Sequence, residues 1–147
     1  MIIRDATMDD ALAIINGAKA FAEFTGLPLF PENEDDFIAA VSRIVTNDNV
    51  EVLIAEHDNT VIGGIGIVYG QFLWNPAIIM GEELFWWANP GSPMKTGKML
   101  FDEAIRRMED NEAIPFFKSL ANSPESVDKL YLKEGFTLIE KSFMRIK

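Results

Sequence analysis

The chain has 147 residues and a formal net charge of −10, with 48% hydrophobic, 24% charged and 11% aromatic residues and no cysteine. That length suits one domain with a core of its own, and the composition is too apolar for a disordered chain. The acidic balance argues against nucleic acid and anionic membranes as partners and favours cationic ones, while the lack of cysteine removes disulfides, zinc–thiolate sites and thiolate nucleophiles together. No run approaches the roughly 18 uninterrupted apolar residues of a spanning helix, and acidic residues follow Met-Ile-Ile-Arg too closely for a signal peptide, so a cytoplasmic protein is expected.

Residues 2–5 make a short apolar start. Thr7 with Asp10 three places on has the form of a capping box ahead of a helix whose apolar set is Leu12, Ile14, Ile15, Ala18, Phe21 and Ala22. Gly26, Pro28 and Pro31 break that pattern and leave Phe24, Leu29 and Phe30 on a loop, as a lid over a binding site or as cover for the core. The acidic run Glu32, Glu34, Asp35, Asp36 opens a second helix, where negative charge suits the dipole, with Phe37, Ile38, Val41, Ile44 and Val45 on one face. From Val50 to Tyr69 β-branched residues flank His57-Asp58-Asn59, which predicts a hairpin. A long strand is expected from Ile78 to Ala88, with Glu82 and Glu83 embedded in it, ending at Asn89-Pro90-Gly91. Then follow a helix from Gly97 to about Asn111, a short strand from Ile114 to Leu120, and a last helix opened by Pro124 and closed by Gly135. A closing strand is expected from Phe136. With no repeat or linker, residues 1–147 read as a single α/β layered domain with a mixed sheet.

The segment from Glu82 to Leu100 is the most informative. A buried strand runs into a loop of Gly91, Ser92, Lys95, Thr96, Gly97 and Lys98 that opens a helix, so backbone N–H groups, the positive helix end and two lysines converge where a phosphate can sit. The P-loop of nucleotide-binding proteins is a near miss: five residues separate Gly91 from Gly97 where four are required, and Met99 stands where Ser or Thr must reach magnesium. The plain alternative is a solvated loop capping a core helix. Gly63-Gly64-Ile65-Gly66 fails the dinucleotide fingerprint, since Tyr69 takes its third glycine, and reads instead as close backbone approach or a bulge. His57 reads as a solvated turn residue.

Tyr131-Leu132-Lys133-Glu134-Gly135-Phe136 resembles the Tyr-x-x-x-Gly-Phe signature that closes members of the GNAT acetyltransferase superfamily, and the order of elements along the whole chain is similar, to phage-borne members in particular. The resemblance implies a mixed, mostly antiparallel sheet of six to seven strands flanked by about four helices. It implies an acetyl-CoA-dependent N-acetyltransferase, with direct transfer to a primary amine in a ternary complex. Acetyl-CoA would enter between the strand ending at Ala88 and the strand ending near Leu120. The backbone of Phe85, Trp86, Trp87 and Ala88 would then pair with pantetheine, and Ser92, Lys95, Thr96, Gly97 and Lys98 would surround the pyrophosphate. The loop departs from the family pattern of Gln or Arg, two residues, Gly, one residue, Gly or Ala: Ser92 and Lys95 stand at its first two fixed places and only Gly97 fits. Lys95 and Lys98 would compensate by charge. The family's Asn seven residues before the Tyr is replaced by Pro124, with Asn122 near enough to serve.

Acyl transfer to an amine needs a base, because an ammonium of pKa near 10 is no nucleophile, and an acid for the departing thiolate. Glu82 or Glu83 supplies the base in this reading; the two face opposite sides of the sheet, and the resemblance gives the role to Glu82. Each has a plain alternative in a solvated edge or a buried ion pair. Tyr131 is the acid by family position, against the alternative of a core tyrosine. Trp86 and Trp87 also face opposite ways, one into the core and one toward the cofactor cleft. Phe24, Phe30 and Glu83 are the candidate acceptor-binding residues; no metal site is expected. The acceptor is an amine, of a small molecule or a protein, and a homodimer is compatible with the sequence. The rival reading is a GNAT-shaped binding or structural module without catalysis, which the eroded loop favours.

Overall fold

The structure, a computed structural model, describes residues 1–146, and its packing falls into two units, Met1–Phe117 and Lys118–Lys147. The first unit is built on one sheet whose spatial order equals the chain order: β1 (Ile2–Asp5), β2 (Val50–His57), β3 (Thr60–Phe72), β4 (Asn75–Ala88) and β5 (Ala113–Phe116). The first four strands are antiparallel and β5 runs parallel to β4. A parallel neighbour needs a crossover, supplied by α3 (Thr96–Asp110). Before the hairpins come α1 (Ala11–Thr25) and α2 (Glu34–Val45).

Local chemistry fixes the element ends. The Asp10 carboxylate accepts the Thr7 N–H at 2.8 Å, and both its oxygens accept from Arg4 at 3.0 Å. These hydrogen bonds, from Arg4 first, hold the Asp10 carboxyl below its ordinary pKa against the opposing cost of burial. Gly26, at φ +66°, ends α1, and the Asn33 side chain caps α2 by accepting the Asp36 N–H at 2.9 Å. Asp58 and Asn59 both take positive φ, as a two-residue hairpin turn of right-handed twist requires.

The sheet buries both faces because its strands alternate. Leu53, Ala55, Ile65 and Ile67 pack with Leu100, Ala104 and Met108 of α3, whereas Val52, one residue out of step, packs with Ile14, Ile15, Phe37 and Val41 of α1 and α2. Pro115 lies in β5, the edge of this sheet, where a missing N–H is tolerated.

In the second unit α4 (Glu125–Lys133) stops at Gly135, φ +86°, with the Phe136 N–H donating to the Tyr131 carbonyl at 2.9 Å. Among the described residues the expected closing strand from Phe136 is not formed, and the sheet has five strands rather than six to seven. Phe136, Leu138, Met144 and Ile146 share one period-2 face, but Glu140 and Ser142 interrupt it, and a strand without a ladder gains nothing from its extended form. The short strand expected to reach Leu120 ends at Phe116. The four helices occur as expected, and among the described residues no helix is long and apolar enough to cross a membrane.

Candidate functional site

β4 changes character half-way along. Ile79 to Glu82 pair with β3 on one side and with β5 on the other, the last partners being Glu82 and Phe116. Gly66 then pairs with Phe85 but Ile67 with Glu83, so Leu84 is an extra residue, a β-bulge. A bulge bends its strand and increases the local twist. Beyond it, Phe85 to Ala88 keep their partners on β3, Gly66 to Gly63, and no strand of this unit pairs with their other edge among the described residues.

The side chains of this half are seated firmly. Phe85 and Trp87 lie on the α1–α2 face, their rings 5.8 Å apart. A Cβ on Gly64 would come within 2.3 Å of the Trp87 indole, one on Gly17 within 2.4 Å, and one on Gly66 within 2.7 Å of the Phe85 ring. Of the glycines that fail as a dinucleotide fingerprint, Gly64 and Gly66 are therefore seats for aromatic rings, and Gly63 is the expected close backbone approach, 2.7 Å from a hypothetical Cβ to the Trp87 carbonyl oxygen. Trp86 faces α3, stacked on Phe101 at 5.5 Å and edge-on to Phe117 at 6.5 Å. The two tryptophans do face opposite ways, and both take part in packing.

The two glutamates separate in the same manner. Gly81 lies under Met108 of α3, 2.7 Å from a hypothetical Cβ, so Glu83 two residues on shares that face and is only 7% exposed. Glu82 points to the other face, opposite Val68, and lines a groove of about 260 Å³ beside the β3–β4 hairpin. Because the bulge skips one residue, Glu82 comes onto the same face as Phe85 and Trp87.

The loop after β4 is tied down. Asn89-Pro90-Gly91-Ser92 forms a type II turn: Gly91 has φ +81° and the Ser92 N–H donates to the Asn89 carbonyl at 3.1 Å. Asn89 joins the turn to β3, its N–H reaching the Ile62 carbonyl at 2.7 Å and its amide the Val61 carbonyl at 3.3 Å, while accepting the Trp87 indole N–H at 3.2 Å. The Ser92 hydroxyl donates to the Ile62 carbonyl at 3.2 Å. Thr96 is fully buried, and its N–H and hydroxyl both donate to the Pro93 carbonyl, at 2.9 and 2.7 Å. Lys95 takes the N-cap place of α3. Lys98 pairs with Asp102 one turn on and lies 5.7 Å from the centre of the Phe101 ring. Gly97 has ordinary room for a Cβ, the nearest atoms being Trp86 ring atoms at 3.8 Å.

Within the second unit, the Tyr131 hydroxyl donates to the Lys118 carbonyl at 2.7 Å and its ring lies 5.8 Å from Phe136. Asn122 is exposed in the turn before α4. Phe30, on the α1–α2 loop, is partly buried against the core and meets Phe21 edge-on at 6.0 Å; Phe24, expected on that loop, lies instead in the last turn of α1, because the helix continues to Thr25, and is exposed. Neither lines the groove beside Glu82.

A second groove, about 340 Å³, lies by Asp5, Glu51 and Arg107. Arg107 donates to Asp5 at 2.9 Å, Glu51 at 3.0 Å and Glu103 at 2.9 Å, so its charge is matched from its own neighbourhood. Burial opposes that charge, and the hydrogen bonds from Glu103 and Asp5 outweigh it, raising the Arg107 pKa. Tyr69 closes the cluster, its pKa pushed up by burial and then by the Glu51 charge. This is a structural ion network.

The sequence matches no protein-family model and no curated protein. Solved structures are similar over the whole chain. A transcriptional regulator from Bacillus halodurans C-125 superposes with a TM-score of 0.82 at 14% identity, over 99% of each chain. A ribosomal-protein-alanine N-acetyltransferase from Brucella melitensis biovar Abortus 2308 gives 0.75 at 16% identity over 100% of both. The chain has the GNAT fold. A predicted acetyltransferase with acetyl-CoA from Clostridium acetobutylicum gives 0.77 at 15% identity, over 99% of this chain and 95% of that one. At these identities the likeness is one of fold. The close approach or bulge expected at Gly63-Gly64-Ile65-Gly66 is present, with the ladder shifting at Gly66 and Ile67; what sequence reasoning missed is that the extra residue is Leu84 of β4 and that aromatic rings occupy the glycines. The doublet of tryptophans facing a Gly-x-Gly strand was the available signal.

Proposed function

We propose that the chain is an acetyl-CoA-dependent N-acetyltransferase that acts on a primary amine by direct transfer. The observation that carries the reading is the parting of β4 from β5 at the bulge. It leaves the backbone edge of Phe85 to Ala88 for an amide-bearing chain such as pantetheine, which adds along a strand edge as a peptide does. That edge leads through the type II turn to the N-terminal end of α3, where Lys95 stands and where an anionic pyrophosphate is favoured. Acetyl-CoA supplies an activated acyl carbon and a thiol leaving group. The acceptor ammonium gives one proton to Glu82. Its nitrogen then forms the new N–C bond as the C–S bond breaks, and the second nitrogen proton ends on the thiol. Family position assigns Tyr131 to deliver that proton. The chain has no cysteine to carry an acyl-enzyme, which favours a ternary complex. The same composition and the acidic balance support a cytoplasmic setting and a cationic acceptor.

The second reading, a GNAT-shaped binding or structural module, draws on the loop, where the Ser92 hydroxyl and both Thr96 donors are engaged within the protein. Thermal unfolding separates the two. Acetyl-CoA at about 100 times its Kd should stabilise the protein by about 2.7 kcal/mol and raise Tm by several degrees, and ATP with magnesium should not. No shift at millimolar acetyl-CoA would favour the module.

A further inference from the structure

The residue that follows β4 is tied down through all of its polar groups. β4 ends at Ala88, opposite Gly63, and Asn89 continues the register by one pair, its N–H donating to the Ile62 carbonyl at 2.7 Å. Its carbonyl accepts the Ser92 N–H at 3.1 Å, its side-chain amide donates to the Val61 carbonyl at 3.3 Å, and its side-chain oxygen accepts the Trp87 indole N–H at 3.2 Å. One side chain thus joins the β3 backbone to a ring of the α1–α2 face, and its own backbone joins both to the turn that leads into α3.

These bonds set the direction of the uncovered edge. In an antiparallel strand the N–H and C=O of one residue turn to the same neighbour, and successive residues alternate. Asn89 donates to β3, and the Trp87 carbonyl oxygen lies 2.7 Å from a hypothetical Cβ on Gly63, so both residues turn to β3. Trp86 and Ala88 therefore turn their N–H and C=O groups to the other edge, which no strand of this unit covers among the described residues. With the ladder interrupted at Leu84 and β5 ended, the far end of the segment needs a tie of its own. Asparagine suits that place: leucine has the shape without either polar group, and aspartate would accept from the indole but set a carboxylate against the Val61 carbonyl.

We infer that Asn89 is a positioning residue, which clamps the end of β4 so that the Trp86 and Ala88 backbone groups stay aligned for an amide-bearing ligand running on to the start of α3. The ligand rests on the acetyltransferase reading; the clamp does not.

The test compares the wild type with Asn89→Ala, Trp87→Phe and the double variant. Acetyl-CoA is the probe in calorimetry, and amide hydrogen exchange is followed by NMR without it. Asn89→Ala should weaken acetyl-CoA binding about tenfold, as the loss of two side-chain hydrogen bonds allows. Trp87→Phe keeps a ring on Gly64 but loses the indole donor, so it should weaken binding about threefold, and the double variant should stay within about twofold of Asn89→Ala because the two changes remove one shared bond. In Asn89→Ala the Trp87 and Asn89 amides should exchange about tenfold faster, and those of Ile79 to Gly81, laddered on both sides, at the wild-type rate. Wild-type affinity in Asn89→Ala, or fully additive weakening in the double variant, overturns the inference and leaves the acetyltransferase reading standing. Faster exchange along the whole of β4 assigns Asn89 to general stability and overturns the inference too. If the wild type binds no acetyl-CoA, the acetyltransferase reading falls; faster exchange confined to Trp87 and Asn89 then supports the clamp, and its absence overturns the clamp.

Discussion

The two halves of β4 are one strand with opposite uses of the backbone. Ile79 to Glu82 have ladder partners on both sides and carry modest side chains, including Gly81, which admits Met108. Phe85 to Ala88 have a strand on one side only, yet their rings are wedged onto Gly17, Gly64, Gly66 and Phe101. The first half is held by hydrogen bonds, the second by aromatic packing. A backbone edge can therefore be offered to a ligand without being mobile, because its position is set by side chains pointing up and down while the free edge points sideways. Leu84 is the hinge between the two regimes.

The largest effect should come where the paired half ends. Glu82→Gln should lower turnover by about 10²–10⁴-fold with acetyl-CoA affinity unchanged, as expected for a general base. Glu83→Gln, on the buried face, should act on stability instead. Steady-state kinetics beside thermal unfolding reads both, and a loss below about threefold in Glu82→Gln would assign that residue to structure.

Deleting Leu84 tests the hinge itself. Without it the ladder becomes regular, Glu83 with Ile67 and Phe85 with Gly66, and every later side chain stays on its own face. The core should survive while β4 straightens against β5, so the deletion should abolish most of the acetyl-CoA-induced shift, about 2.7 kcal/mol at 100 times the Kd. A deletion variant that keeps the full shift would mean that the bulge does not open the edge.

Gly64→Ala sharpens the packing side of the contrast. Its methyl group meets the Trp87 indole at 2.3 Å and the Leu53 carbonyl at 3.1 Å, and overpacking of this kind costs about 1–3 kcal/mol. The cost should fall in a Trp87→Leu background, a coupling that a double-mutant cycle in urea measures. Gly70→Ala, on the open groove, should be nearly neutral by the same method.

The smallest effect lies on α3, which backs both halves. Hydrogen bonds from Arg106 and then Arg107 outweigh burial and bring the Glu103 carboxyl from its ordinary 4.5 to about 2. A lowered carboxylate pKa stabilises the fold above the unfolded value, and that contribution is lost as pH falls through the folded one. The Tm difference between the wild type and Glu103→Gln should be constant above about pH 5, shrink as the pH falls and vanish only below about pH 2. A difference that does not shrink between about pH 5 and pH 2 would assign the effect to packing.

Much of this was legible in the sequence because it is local. The 3.6-residue pattern of Ile14, Ile15 and Ala18, the acidic opening of α2 at Glu34, Asp35 and Asp36, the hairpin at Asp58-Asn59 and the left-handed stop at Gly135 each depend on a few neighbouring residues, and each element formed. The order of elements then limited the sheet to a mixed one with a crossover helix. That Glu82 and Glu83 face opposite ways followed from the pleat alone. Which of them meets the groove depended on the register of β3 against β4, in which aromatic rings meet glycines 19 residues and more away in sequence. The closing strand expected from Phe136 failed for the same reason: extended structure is a property of a pair, and the alternating face of Phe136, Leu138, Met144 and Ile146 is broken by Glu140 and Ser142. Local preference chose the elements; long-range packing chose the bulge, the open edge and the face on which the carboxylate stands.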